Sequence, residues 1–484
     1  MLVKGTDKRA QQAEIVSMED LVPEGHLLRS IAAALDFEFI YELVEDKYSA
    51  ETGRPSIDPV VLVKMVFIQF LFGIRSMRQT VREIEVNAAY RWFLGFGWQD
   101  KVPHFTTFGK NYKRRFEGTD LFEQIFARVL EACYRAGYVK GEEVFVDATH
   151  IKASANRNKK LKQKVKHEAH VYARELRAEI NAERESMEKA PFDDDNDNQD
   201  GETSQETEVT TSTTDPESGM FVKGEHERNF AYMAQTACNR HGFVLGYEIV
   251  PGNVHDSKSF WNLYEKLKDL PISHLVADSA YKTPAILRQL FYDEVTPVMP
   301  YTRPKTKEGY FTKGDYQYDP QRDCYICPQG QELRHTNTNR DGYREYRSRA
   351  KLCRQCPYRT QCTQSKSCVK LIQRHIWQEF VDTAEAIRKT PQGRQLYRKR
   401  KETIERVFAD AKEKHGMRYT QYRGLAKVKM QVGLTFACMN LKKLATWMKK
   451  APTGGGLRSV LAPLCSFFQL LLQNNKQAAL ACSR

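Results

Sequence analysis

The sequence predicts a mixed α/β protein with an all-helical N-terminal region. Three observations predict it: helical periodicity across residues 20–140, short apolar strand patterns that begin at Glu143, and a return of helical pattern from about Thr383 to Lys450. The chain has 484 residues, enough for about three domains at ~150 residues each. Its composition, 41% hydrophobic and 28% charged, is that of a soluble globular protein.

In the N-terminal part, Pro59 to Phe72 gives an apolar helix and Ser76 to Gly95 an amphipathic one. Pro103-His-Phe-Thr-Thr-Phe places a Thr to cap a following helix, which carries Lys110, Lys113 and Arg114. That arrangement suits a helix-turn-helix-like DNA reader, and equally a packed helix with a wet cationic face. Next, Val144-Phe-Val-Asp147 reads as a short strand ending in an acid. An A/E/K/R-rich helix is expected over Asn158–Lys189, and the acidic, Ser/Thr-rich segment 191–218 reads as a mobile loop. Phe230–Ala237 and Phe243–Val250 read as strands joined by a turn at Asn239-Arg-His-Gly242. His274-Leu-Val-Ala-Asp278 is another strand ending in an acid, and Val295–Pro300 one more short strand. Residues 302–372 read as irregular and cysteine-rich.

These patterns divide the chain into 1–140 (helical, with the candidate DNA reader), 141–301 (strand-rich, containing the 191–218 loop), 302–372 (irregular, cysteine-rich), 373–450 (helical) and 451–484 (linker and tail). The tail opens with Pro452-Thr-Gly-Gly-Gly and includes an apolar patch at Leu461–Leu472.

Lys and Arg number 75 against 61 Asp and Glu, a net charge of +14. Ten acids and no Lys or Arg fall between 190 and 222, so the rest of the chain is more basic still. Arg388 to Lys450 holds 18 basic and four acidic residues. Such a stretch serves as a solvated face or as the footprint of a polyanion. No apolar h-region follows the first residues, so no secretory signal is expected. The longest apolar stretch, Pro59 to Ile74, is interrupted by Lys64 and Gln69 and falls short of a membrane span. The expected setting is the cytosol, with reduced thiols.

The informative constellation is Asp147, Asp278 and Glu405. Two of these acids end apolar strands, in VFVDAT and LVADSA. Acids are poor strand formers, and ligand crevices lie at the ends of central strands in α/β sheets. Two carboxylates from adjacent strand ends could share a divalent cation, which takes hard oxygen ligands. Glu405 borders a helical stripe formed by Ile404, Val407, Phe408 and Ala411. Arg398 and Lys412 lie seven residues to either side, expected on the same face and suited to gripping a phosphodiester backbone.

With FVDATHIKASAN at 145–156, VPGNVHDSK at 250–258, VADSAYKT at 276–283 and ETIERVFADAKEKHGMRYTQYRG at 402–424, the sequence resembles the bacterial insertion-sequence transposases of the DDE type. The likeness covers about residues 15–445. It implies a ribonuclease-H-like core, a mixed five-stranded sheet with helices, interrupted by the cysteine-rich insertion. It also implies that Asp147, Asp278 and Glu405 hold two Mg²⁺ (or Mn²⁺) ions, and that Lys412 contacts DNA. The family's tyrosine and arginine match Tyr397 and Arg400 in mutual spacing, but both lie one residue too far from Glu405. Arg400 joins Arg398 and Lys412 as an expected DNA contact. His255-Asp256 reads either as a pair beside the metals or as a satisfied turn.

Six of eleven cysteines fall within 324–368. Cys324-x2-Cys327 and Cys353-x2-Cys356 form paired knuckles that suit a structural Zn²⁺. The alternative is reduced cysteines without metal. The expected activity is cleavage at inverted terminal repeats of double-stranded DNA and joining of those ends to target DNA, by a homodimer. The alternatives are a nuclease on the same scaffold that does not join, and a non-catalytic DNA-binding regulator.

Overall fold

A computed structural model describes residues 15–49, 56–165, 171–192, 207–223, 227–301 and 306–450. The 451–484 linker and tail lie outside the described residues. So do 193–206, within the acidic segment.

Apolar faces dictate how the N-terminal helices assemble. They are α1 (Met18–Leu21), α2 (Leu27–Ala34), α3 (Phe39–Val44), α4 (Pro59–Leu71), α5 (Met77–Val86), α6 (Ala88–Leu94), α7 (Thr106–Asn111) and α8 (Leu121–Arg135). Helix α4 is apolar on every side and lies inside the bundle, begun by Asp58, whose carboxylate caps the Val60 N–H. The threonines at 106 and 107 do not cap α7; they lie within it, and the His104 ring accepts from the Thr106 N–H. A π-helical turn, Tyr112–Phe116, continues α7.

The core follows as β1 (Glu143–Lys152), β2 (Lys160–Val165), α9 (Val171–Ser186), β3 (Thr207–Ser212), β4 (Gly219–Lys223), β5 (Glu227–Asn239), β6 (Val244–Pro251), α10 (Asp256–Glu265), β7 (His274–Val276), α11 (Pro284–Tyr292) and β8 (Thr296–Val298). These strands form one mixed sheet in the order β2-β3-β4-β5-β1-β7-β8. Strand β5 pairs with β4 over Glu227–Ala231, then with β6 over Tyr232–Cys238. Through the middle the order is therefore β6-β5-β1-β7-β8. The pairs β6–β5 and β5–β1 are antiparallel, whereas β7 and β8 run parallel to β1.

Two expectations fail here for physical reasons. The Lys/Arg-rich helix does not start at Asn158, because Lys160–Val165 pairs with β3 along its length and tertiary pairing overrides propensity. The described part of the acidic segment is not a loose loop. Asp215 is buried and accepts from the Tyr232 hydroxyl at 2.8 Å and the Gly424 N–H at 3.1 Å. Glu217 accepts from the Leu425 N–H at 2.7 Å. Both carboxylates thus sit at the N-terminus of the long helix that begins at Leu425, where orphan N–H groups and the helix dipole favour negative charge.

Residues 306–375 are also more regular than expected. They hold β9 (Gln317–Asp319), β10 (Cys324–Ile326), β11 (Glu332–Thr338), β12 (Tyr343–Arg347), α12 (Ala350–Arg354), α13 (Arg359–Cys362) and β13 (Leu371–His375). The strands form a second, antiparallel sheet. Its small core is mostly tyrosine: Tyr316, Tyr325 and Tyr346 with Leu333 and Ile372. The hydroxyls of half-buried Tyr318 and buried Tyr346 both donate to Asp323, so neither ring leaves its polar end unpaired. Helix α9 joins the two sheets: Arg288 of α11 pairs with its Glu175 and Glu179, and Arg344 of β12 with its Glu183.

The chain closes with α14 (Gln378–Lys389), α15 (Pro391–Arg398), α16 (Ile404–Lys414) and α17 (Leu425–Lys450). Helix α17 packs on α2, α4, α8 and β6, so the N-terminal helices and the larger sheet share one hydrophobic core. Gly433 makes this possible, since a Cβ there would collide with the Tyr247 hydroxyl of β6. Among the described residues no helix is long and apolar enough to cross a membrane.

Candidate active site

Strand register brings the two aspartates together. The last paired residues of β1 and β7 are Phe145 and Val276. Asp147 and Asp278 each stand two residues further on, and side chains two apart share a face. Strand β7 stops there. Strand β1 does not: it continues to Lys152 because β5 pairs with it throughout, so Asp147 lies within a strand rather than at its end. Asp278 instead turns the chain, accepting from the Ala280 N–H at 2.8 Å to cap the short helix Ser279–Tyr281.

The surroundings resist charge. Burial pushes the Asp147 carboxyl up to about 6, and the neighbouring Asp278 adds to the rise; the Arg400 guanidinium and the Ala148 N–H pull the other way. Arg400 donates to Asp147 Oδ2 at 2.7 Å, and Ala148 N–H to Oδ1 at 2.9 Å. Asp256, the first residue of α10, is likewise raised by burial and by the charge of Asp278. His255 caps that helix through its ring, so the pair resolves into a capping histidine and an acid that faces the site. Tyr281 is fully buried among Asp256, Asp147, Asp278 and Arg400, with its hydroxyl unpaired. The Arg400 Nε is also buried without a partner.

Glu405 occupies the first turn of α16 and is exposed. Ile404, Val407, Phe408 and Ala411 are the buried stripe that docks this helix on β1 and β5. Arg398 does not share its face, because it ends α15 and a 3-10 turn, Lys399–Lys401, separates the two helices. Thr403, at φ −109° and ψ −94°, completes the break. This break spans the interval in which Tyr397 and Arg400 carry one residue too many before Glu405. Arg400 itself is buried on Asp147, with its other side against Tyr397. Arg398, Lys110, Lys113 and Arg114 are exposed, and Lys412 is half-buried.

Two family models match the chain. The transposase DDE domain matches residues 326–445, and the transposase domain DUF772 matches residues 16–114. Both matches support an insertion-sequence DDE transposase. No curated protein matches it. The DDE match takes in Tyr397, Arg400, Glu405 and Lys412, and the other takes in Lys110, Lys113 and Arg114. Asp147 and Asp278 lie in neither.

Transposases of this family act on DNA and use divalent metal ions. The donors of Asp147 and Asp278 fit such an ion: hard carboxylate oxygens, adjacent, in a pocket where a tyrosine hydroxyl and a guanidinium N–H still lack partners. Among the described residues, however, no three His, Cys, Asp or Glu side chains form a group that could hold a metal. Glu405 is not gathered with the aspartates as the side chains stand. Nor are Cys324, Cys327, Cys353 and Cys356 gathered: Cys324 is buried in β10 and the Cys353 thiol donates to Ser348. The Cys362 sulfur lies 3.0 Å from the Tyr316 hydroxyl, which also feels Cys327.

Tyr281 is not singled out by sequence reasoning, and Asp256 is read there only together with His255, either as a pair beside the metals or as a satisfied turn. Both lie inside motifs, VADSAYKT and VPGNVHDSK, but nothing in their spacing points to burial beside Asp278.

Proposed function

We propose that this transposase cleaves DNA at the ends of its element and transfers the freed strand to target DNA, using Asp147, Asp278 and Glu405. The observation that carries the reading is the juxtaposition of Asp147 and Asp278 two residues past the last β1–β7 pair. The order β6-β5-β1-β7-β8, antiparallel then parallel, supports a ribonuclease-H-like core. Asp147, Asp278 and Glu405 would hold the divalent metal, which would supply Lewis acidity for the displacement at phosphorus.

The chain's own residues do the rest. Arg400 is the counter-charge that keeps a buried Asp147 ionised. Glu405 enters from α16, the helix packed on β1. Exposed Arg398, Lys110, Lys113 and Arg114, with Lys412, supply the cations that meet the phosphate backbone.

The test is incubation with duplex DNA carrying the element's ends, with and without Mg²⁺, mapping nicks, followed by pre-cleaved ends with target DNA. Metal-dependent nicks at the element's boundary and joined products are expected. Nicks without joining would make the chain a nuclease, and binding without nicks a regulator.

A further inference from the structure

The second sheet carries a cleft of about 720 Å³. It is lined by Lys307, Lys313, Arg347 and Lys370, by the rings of Tyr310 and Phe311, and by no Asp or Glu among the described residues. We propose that this cleft holds single-stranded DNA, with the cations on its phosphates and the two rings against an unstacked base. The proposal rests on the transposase reading and adds a substrate form and a place to it.

The lining chemistry argues for a single strand. A duplex presents phosphates and groove edges, which an aromatic floor cannot use, whereas an unpaired base offers a π-face. The volume lies in the ~300–1,000 Å³ range of sites for small molecules, which suits a nucleotide or two and excludes a double helix.

The rings are held ready. The Tyr310 hydroxyl accepts from Gln364 at 2.6 Å, and Phe311 is braced edge-on against Tyr316 and tilted against Tyr358. Lys313 and Lys370 each give one N–H to a backbone carbonyl, of Gln373 and Cys362, at 2.9 Å. Each ammonium has three donors, so phosphate can be met without breaking these bonds.

The cleft is also connected to the acids. Glu385 of α14, whose charge reaches Lys313, pairs with Lys282, four residues beyond Asp278. Exposed Tyr301 lies between Lys282 and Lys389, 5.8 and 6.0 Å from its ring.

The experiment is fluorescence anisotropy of the full chain with a labelled oligothymidylate and, separately, with duplex DNA carrying the element's end. Lys307→Ala with Arg347→Ala is expected to weaken oligothymidylate binding tenfold or more. The same pair should flatten the salt dependence by about 0.7 for each phosphate left without its cation. Tyr310→Ala should weaken binding about fivefold or more, and Tyr310→Phe, which keeps the ring, should not. Duplex affinity and Mg²⁺-dependent nicking should stay within twofold of wild type. No binding of oligothymidylate by the wild type, equal binding by the variants, or a parallel fall in duplex affinity would overturn the proposal. A wild type that binds oligothymidylate through these residues but never nicks duplex supports the cleft and strikes only at the catalytic reading.

Discussion

Arg400 donates to Asp147 at 2.7 Å across 253 residues of chain, and both side chains are mostly shielded from water. The pair ties the helical C-terminal segment to the central strand of the sheet. It also gives the buried carboxylate a counter-charge it would otherwise lack.

Removing one partner of such a pair leaves the other charge uncompensated. Arg400→Met is therefore expected to lower stability by about 3 kcal/mol at neutral pH. Adding Asp147→Asn to that variant should restore most of the loss, which a double-mutant cycle by urea unfolding would measure. Independent, additive losses would mean that the two groups do not depend on each other.

Asp147 alone should make stability pH-dependent. Its carboxyl stands at about 6 in the fold against an ordinary 3.8, so the folded chain binds the proton more tightly than the unfolded chain. Protonated Asp147 thus favours folding below about pH 4, and that contribution disappears as pH rises through 6. Whatever the stability of metal-free Asp147→Asn protein at pH 7.5, its balance against wild type should move in favour of wild type by about 1–3 kcal/mol on acidification to pH 4, because only wild type gains from protonating this position. Urea unfolding at the two pH values checks it, and a balance that moves towards the variant on acidification would contradict it.

Gly433 is the point where α17 meets β6. Gly433→Ala gains helix propensity but drives a methyl into the Tyr247 hydroxyl, and overpacking costs about 1–3 kcal/mol. Tyr247→Phe in the same chain should recover part of that loss, as thermal unfolding of the single and double variants would show.

How far the sequence spoke for itself depended on how local each cause was. The stripe of Ile404, Val407, Phe408 and Ala411 was legible because helical periodicity is local, and all four are buried. Asp147 and Asp278 stood out because an acid after an apolar run is anomalous. Three features were hidden. Lys160–Val165 is a strand only because β3 pairs with it. Asp215 looked like part of a solvated acidic run, yet its place is fixed by Tyr232 and Gly424. The second sheet was unreadable because its core is tyrosines dispersed among polar residues, with Asp323 satisfying two of the hydroxyls. The break at Thr403 was signalled by the extra residue between Arg400 and Glu405, but its consequence for Arg398 was not.

That tyrosine core bears on the cysteines. The sequence invited a metal because residues 302–372 seemed to lack apolar content, and the structure supplies a core of another kind. A zinc-selective chelator should therefore leave the thermal midpoint within about 2 °C, a shift of no more than ~2 kcal/mol for a chain this large. A drop of many degrees, with zinc recovered in the chelate, would return Cys324, Cys327, Cys353 and Cys356 to a metal site.

The most direct measurement of the central claim is single-turnover cleavage of element-end DNA by Asp147→Asn, Asp278→Asn and Glu405→Gln, with duplex affinity measured on the same preparations. Loss of one carboxylate should slow cleavage by about three orders of magnitude or more, comparable to removing a charge-stabilising group from other active sites. Affinity should remain within a few-fold of wild type. Cleavage at the wild-type rate by any one variant would remove that residue from the site, and for Glu405, the acid that stands apart from the aspartates, it would dismantle the three-acid account.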